Sequence, residues 1–172
     1  MARLSSNGHV RYLGVLSDTH GDVLRTRQAA HIFNQMEVDV VLHCGDIGSP
    51  EIPPLLADCP AHFVFGNTDR QTEALRAAIE QAGSICHDRF AALTLAGRRI
   101  ALLHGDDWRA LGQAAGSGQY DLVCYGHTHR FKEERVNNTL ILNPGAIYRA
   151  GIPSVVVVDL PTLDVMRIPI CG

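Results

Sequence analysis

Five apolar runs in this chain each end in a turn-prone segment carrying His, Asp or Asn, and no other pattern in the sequence narrows the choice of fold so far. They read Leu16-Ser17-Asp18-Thr19-His20, Leu42-His43-Cys44-Gly45-Asp46, Val64-Phe65-Gly66-Asn67-Thr68-Asp69, Leu103-His104-Gly105-Asp106 and Tyr125-Gly126-His127-Thr128-His129. In an open α/β sheet, polar groups beyond the carboxyl ends of strands converge in a crevice without entering the core. One strand-Gly-Asp turn is common for backbone reasons alone, because Gly and Asp favour turns. Five in succession indicate a shared site.

The runs alternate with amphipathic stretches. Tyr12 to Leu16 reads as a strand, Asp22 to Met36 as a helix with Val23, Leu24, Ala30, Phe33 and Met36 at mainly helical spacing, and Val38 to Leu42 as the next strand. Ala61 to Phe65 and Thr72 to Ala82 repeat the strand-helix cycle, with Thr72 as the expected N-cap and Gly83 as the stop. The first half therefore predicts a parallel sheet. Beyond Gly83 come short strands, Phe90 to Leu95, Arg99 to Leu103, Leu122 to Tyr125, Phe131 to Val136 and Leu140 to Leu142, with a short helix near Asp107 to Ala115. Asn137-Asn138 and the segment around Pro161 mark hairpins, the second joining Ser154 to Asp159 with Val165 to Ile168. A single sheet of about ten strands tends to curl or split. The expected class is α/β, a two-sheet αββα sandwich with a metal site at the C-terminal ends of its strands. At 172 residues the whole chain, 1–172, is expected to be one domain.

Composition excludes some function classes. Hydrophobic residues at 46% against 19% charged leave no room for global disorder. Lys plus Arg number 15 and Asp plus Glu 18, and a net charge of -3 argues against the basic surface that a long nucleic acid requires. A small phosphorylated partner is compatible with that charge. No run approaches the roughly 20 apolar residues of a membrane helix, so no membrane contact is expected. Met1 to Val10 has no apolar stretch of signal-peptide length. Five cysteines without CxxC spacing suit reduced thiols, with Cys44 and Cys124 packed in the core. The expected location is cytoplasmic. The oligomeric state is left open, a homo-oligomer included.

Histidine is the compositional excess, at 9 residues, and it is also the commonest metal ligand. In an extended segment residues i and i+2 point the same way, so Asp18 with His20, and His127 with His129, form two pincers. Asp46, Asn67 and His104 bring the candidates to seven. That number is too large for one four-coordinate zinc but suits two adjacent ions sharing a carboxylate. Mixed imidazole and carboxylate ligands favour manganese, iron, zinc or nickel over magnesium or calcium.

At these residues the sequence resembles the calcineurin-like metallophosphoesterases, whose motifs run D-x-H, G-D, G-N, a single His before Gly, and G-H-x-H. All five are present in order, and Asn143-Pro144-Gly145 resembles the family's N-P-G segment. Among members it looks most like the small single-domain phosphodiesterases of bacteria and archaea, which share the short length and the G-N-x-D third motif. The resemblance implies two divalent ions, manganese first. One would take Asp18, His20 and His129, the other Asn67, His104 and His127, with Asp46 bridging. Asn67 and His104 carry the expected catalytic role beside ligation. The implied reaction is hydrolysis of a small phosphodiester by a metal-activated hydroxide. The alternatives are a phosphomonoesterase on a small phosphorylated metabolite and a non-enzymatic scaffold like the retromer subunit of the same resemblance.

One departure bears on mechanism. Many family members have a histidine directly after G-N and an aspartate three residues after the G-D aspartate, a dyad that protonates the leaving group. Thr68 and Ser49 stand there instead. Asp69 is the substitute donor to consider, although a structural role in its own loop is the better reading. His43 is read as a satisfied buried histidine, Asp106 and Asp107 as caps of the following helix, and Arg130 as a solvated strand residue. His9, His31, His62 and His87 fall outside the constellation.

Overall fold

The computed structural model of the chain describes residues 10–171, so the reading of the N-terminal segment before Val10, His9 included, lies outside the described residues. In chain order the elements are β1 (Tyr12–Leu16), α1 (Val23–Gln35), β2 (Val40–His43), a 3₁₀ turn (Pro53–Leu56), β3 (Ala61–Phe63), α2 (Thr72–Gln81), β4 (Ile85–Cys86) and β5 (Phe90–Leu95). They continue with β6 (Arg98–Leu103), α3 (Trp108–Gly116), β7 (Leu122–Cys124), β8 (Phe131–Val136), β9 (Thr139–Pro144), β10 (Ser154–Asp159) and β11 (Asp164–Pro169). Six strands form one sheet in the order β11-β10-β1-β2-β3-β4, and five form the other in the order β5-β6-β7-β9-β8. The run from β1 to β4 is parallel, as the alternation of strands and helices predicts. The second sheet is mixed, with β6, β7 and β9 parallel and β5 and β8 antiparallel at its edges.

Side-chain alternation along the strands makes the layers. Leu13 and Val15 of β1, Val40 and Leu42 of β2 and Val156 and Val158 of β10 face Ile100, Leu102, Leu122, Cys124, Leu140 and Leu142 of the other sheet. The opposite faces of the first sheet, at Leu16, Val41, Phe63, Val155 and Val157, receive Ala29 and Phe33 of α1 and Leu75 and Ile79 of α2. On the outside of the second sheet, Ala101, Leu103, Val123 and Ile141 receive Leu111 and Ala114 of α3. The result is the αββα sandwich. Both faces of the central strands are covered, so they read as continuous apolar runs rather than alternating ones.

Several boundaries differ from the sequence reading. Thr72 is the first helical residue rather than the cap; Gln71 holds the cap position and makes no side-chain bond there. Asp22 does cap α1, accepting from the Arg25 N–H at 3.0 Å. Strand β2 begins at Val40 because Val38 and Asp39 close the turn from α1, bonding back to the Phe33 and Tyr12 carbonyls. Strand β3 ends at Phe63, leaving Val64 and Phe65 in the loop toward Asn67. The two-residue β4 and the 3₁₀ turn carry no periodic signal long enough to read. The Asn137-Asn138 hairpin is present, with Val136 opposite Thr139.

His43 ends β2 fully buried, stacked on Phe63 at 5.2 Å between ring centres. Its Nδ1 accepts the Gly45 N–H at 3.2 Å, so its Nε2 carries the proton and donates to Thr19 Oγ1 at 2.9 Å. Burial pushes this imidazole down from 6.5 to about 3. The unfolded chain takes up a proton below about 6.5 that the folded chain refuses until about 3, so acid favours unfolding across that window. Urea denaturation of the metal-free protein at successive pH values should show a smaller acid loss of stability for His43→Gln than for the parent. Parallel curves for the two proteins would rule out this role for His43.

Candidate metal centre

The parallel strands β1, β2 and β3 of one sheet and β6 and β7 of the other end at a common edge, and the seven candidate side chains come from the loops that follow them. Five of the seven, Asp18, His20, Asp46, His127 and His129, hold positive φ between 44° and 67°. Such values are uncommon outside glycine and gather where the surroundings force the backbone. The two pincers are therefore made by left-handed bends, and the extended geometry expected for Asp18 with His20 and His127 with His129 is replaced by a tighter one.

Each carboxylate anchors a loop with one oxygen and presents the other. Asp18 Oδ2 accepts from Ser17 Oγ at 2.5 Å and from the His127 N–H at 3.0 Å. Its Oδ1 is buried and accepts no hydrogen bond among the described residues, with His129 Nε2 at 3.2 Å and His20 Nε2 at 3.8 Å. Asp46 Oδ1 accepts the Thr68 N–H at 2.9 Å, while its Oδ2 faces His20 Nε2 at 3.5 Å and His104 Nε2 at 3.4 Å. Ligand atoms of Asp18, His20 and His129 lie within 4.8 Å of one another, as do those of Asp18, Asp46 and His104. Asp18 belongs to both groups, whereas the resemblance assigned it to one. His104 Nε2 meets Asn67 Oδ1 at 3.0 Å, and the His127 ring stands edge-on to His104 with centres 5.1 Å apart.

The donor set fits a cation. His104 Nδ1 bonds the Cys44 carbonyl at 2.8 Å and His129 Nδ1 the Arg149 carbonyl at 3.5 Å. A carbonyl only accepts, so each Nδ1 carries a proton, and in the neutral ring that binds a cation each Nε2 turns its lone pair toward the carboxylates. Lone pairs facing carboxylate oxygens repel unless positive charge lies among them. Burial pushes the Asp18 carboxyl up, only partly opposed by Ser17 and the imidazoles. For Asp46, burial is outweighed by His104 and the Thr68 N–H, which hold the group well below the carboxylate range. His104 is raised, because Asp46 and Asp18 overcome its burial.

Close approach explains two glycines. A Cβ on Gly126 would lie 1.9 Å from Ser17 Oγ and 2.7 Å from Asp18 Oδ2, and one on Gly66 would lie 2.0 Å from Asp46 Oδ1. Asp69 is structural: it accepts the Ile47, Gly48 and Gly66 N–H groups at 2.8 to 3.1 Å, tying the second and third motif loops together. Asp107 caps α3, but Asp106 does not share that role; it pairs with Arg89 at 2.5 Å. Arg130 is exposed, as expected, but stands in the bend just before β8 rather than in a strand. Sequence reasoning left Asn143 as part of a motif without a task. Fully buried, it donates from Nδ2 to the Gly126 carbonyl at 2.6 Å and to Thr128 Oγ1 at 3.1 Å, which fixes the loop bearing His127 and His129.

The sequence profile of the calcineurin-like phosphoesterase superfamily domain matches residues 12–162. The chain belongs to this superfamily. A phosphodiesterase of Methanocaldococcus jannaschii is 32% identical over 152 residues, covering 86% of this chain and 92% of that one. A probable metallophosphoesterase of Methanothermobacter thermautotrophicus is 30% identical, covering 92% and 95%. Among solved structures, one described as a novel archaeal phosphodiesterase superimposes with a TM-score of 0.86 at 30% identity, covering 92% of this chain and 99% of its own. Vps29 of Entamoeba histolytica shares the fold, with a TM-score of 0.66 at 17% identity and coverage of 92% and 98%. This chain is thus a metal-dependent hydrolase of the calcineurin-like phosphoesterase class. No helix of the described residues is long and apolar enough to cross a membrane.

Within this phosphoesterase, Asn143→Ala removes the bonds that hold the last motif loop. Partners behind metal ligands are typically worth about 10- to 100-fold in metal affinity. Calorimetric titration with manganese should show a loss in that range while circular dichroism retains the folded signal. Unchanged affinity would show that the loop holds its shape without Asn143.

Proposed function

We propose that this phosphoesterase hydrolyses a small phosphodiester at a dinuclear centre built from Asp18, His20, Asp46, Asn67, His104, His127 and His129. The observation that carries the reading is the position of Asp46 Oδ2, 3.5 Å from His20 Nε2 on one side and 3.4 Å from His104 Nε2 on the other. One carboxylate oxygen between two imidazoles from different strand ends suits a bridge. Those residues would hold two divalent ions, manganese first with iron, zinc or nickel as alternatives, which when bound would supply a hydroxide nucleophile and polarise the phosphoryl oxygens. The names of the archaeal relatives support a diester. Formal charge agrees, since two aspartates and a hydroxide leave a small positive surplus suited to a monoanion. The net charge of -3 supports a small substrate over a long nucleic acid, and five free cysteines support a reducing, cytoplasmic compartment.

The chain's own residues position the substrate and leave the departing oxygen without an evident acid. Asn67 and His104 adjoin one another at the cleft and are assigned the catalytic role. Thr68 is exposed and its backbone is engaged with Asp46. Ser49 Oγ accepts from the Glu51 N–H at 3.2 Å. Asp69 has both oxygens occupied by backbone donors, which removes it as a proton source.

Elemental analysis after reconstitution should find two ions per chain in the parent. Asp46→Ala should reduce both, and His129→Ala or His104→Ala chiefly one. Full occupancy and activity in the Asp46 variant would end the bridging assignment.

Without a dyad, the rate should depend steeply on leaving-group pKa, and aryl diesters should outrun alkyl ones. A well-placed general acid is typically worth about 10²-fold or more. Thr68→His with Ser49→Asp should therefore flatten the dependence for alkyl leaving groups, more than Thr68→His alone. The measurement is a series of phosphodiesters of graded leaving-group pKa, with aryl monoesters as a parallel series. A flat dependence in the parent would reveal another donor, and faster monoester turnover would replace the diester reading.

A further inference from the structure

The chain has a single tryptophan, and it stands beside the candidate metal centre with most of its surface in solvent. Trp108 is 61% exposed and belongs to none of the three packed clusters. Helix α3 does not need it for packing, because Leu111 and Ala114 bury that helix against the second sheet. Its position is nevertheless well held. It is the first residue of α3, where Asp107 caps the helix by accepting the Arg109 and Ala110 N–H groups at 3.0 and 3.1 Å. It follows His104 by four residues, and its ring centre lies 6.2 Å from that of His127 with the planes at 71°. His127 stands at 74° to His104, so His127 is in edge contact with both the candidate ligand His104 and the indole.

We propose that Trp108 is the platform on which an aromatic group of the substrate stacks, so that the preferred diester carries a planar ring, nucleobase or aryl, next to the scissile phosphorus. The inference rests on the phosphodiesterase reading above and specifies its substrate class. An indole offers a large apolar face at low entropic cost, and such faces are normally covered. Stacking of a base or aryl ring on an aromatic side chain is sequence-tolerant and depends on the face alone. An uncovered indole at a capped helix start, one ring away from His104, is placed to receive such a group while the phosphoryl oxygens occupy the centre. His104 at the inner end of this contact also meets Asn67 Oδ1 at 3.0 Å, whereas His20 pairs with a different ring, Tyr148, 5.6 Å away.

The test uses the reconstituted enzyme hydrolysing bis(p-nitrophenyl) phosphate, inhibited by methyl phosphate, phenyl phosphate or thymidine 5′-monophosphate. The parent should bind the two aromatic phosphates about 10-fold more tightly than methyl phosphate, an effect of the size expected for one stacked ring. Trp108→Ala should abolish that preference and Trp108→Phe should keep most of it. Equal gains for phenyl phosphate and thymidine monophosphate identify a general aryl site; a gain for the nucleotide alone identifies a nucleoside site. Because Trp108 is the sole tryptophan, its fluorescence reports the same event without turnover. Aromatic phosphates should quench it saturably at the concentrations that inhibit, and methyl phosphate should not. If the parent hydrolyses no diester, the phosphodiesterase reading fails while the fluorescence titration still decides the stacking. A preference that survives Trp108→Ala, no preference in the parent, or a Trp108→Ala effect confined to oligomeric state would each overturn the proposal.

Discussion

Two carboxylates held at the seam between two β-sheets set the terms for the rest of this molecule. Asp18 and Asp46 are both buried, and burial, with a smaller push from Asp46, makes Asp18 the harder of the two to ionise. Charges taken out of water cost several kcal/mol each unless they are paired and fully bonded. The chain meets this by dividing the work of each carboxylate. One oxygen of Asp18 takes the Ser17 hydroxyl and the His127 N–H, and one oxygen of Asp46 takes the Thr68 N–H. The other oxygens face imidazole nitrogens of His20, His104 and His129, and the last two rings engage their Nδ1 with backbone carbonyls. The unmatched acceptor capacity that remains suits a bound cation, as expected of a metal-dependent family.

The loops take their conformation from that arrangement. The anchoring bonds run between strand ends, from β7 to β1 through Asp18 and from β3 to β2 through Asp46, so each carboxylate fixes a neighbouring loop as well as its own. Asp69 and Asn143 extend the lattice by binding backbone groups of the second, third and last motif loops. The left-handed residues follow. A chain leaving a strand must turn at once to bring its ligand back over the sheet edge, and five of the seven candidate residues bear the strain of that turn. Gly66 and Gly126 stand where a neighbouring carboxylate leaves no room for a side chain.

Specialisation lies around this frame. The positions of a leaving-group dyad hold Thr68 and Ser49, and the nearest aspartate is committed to backbone donors. The same frame carries an uncovered indole at the start of α3. Both features belong to loops and helix starts rather than to the strands, where substitution leaves the two-sheet core untouched. Superfamily membership accordingly speaks to the class of reaction, and the proposed substrate preferences rest on groups outside the strands, Trp108 and Thr68.

The sequence by itself determined the sandwich and the identity of the candidate ligands. Apolar runs covered on both faces, alternating with amphipathic helices, leave few other architectures, and ligand-type residues after five runs mark one edge. Periodicity is a local property, so it is legible in the chain. It could not show that Thr72 fails to cap α2 or that β4 exists, because a two-residue strand and a cap are decided by neighbours rather than by pattern. It also suggested extended pincers, where the structure has left-handed bends imposed by bonds from distant loops. Only the tertiary structure decided which oxygen of Asp18 lacks a partner, that Asp46 faces imidazoles from both sheets, and that Asn143 holds the last loop. Those facts depend on distances between residues as far as 109 positions apart, such as Asp18 and His127. Such distances are set by how the two sheets pack, and no local pattern encodes them.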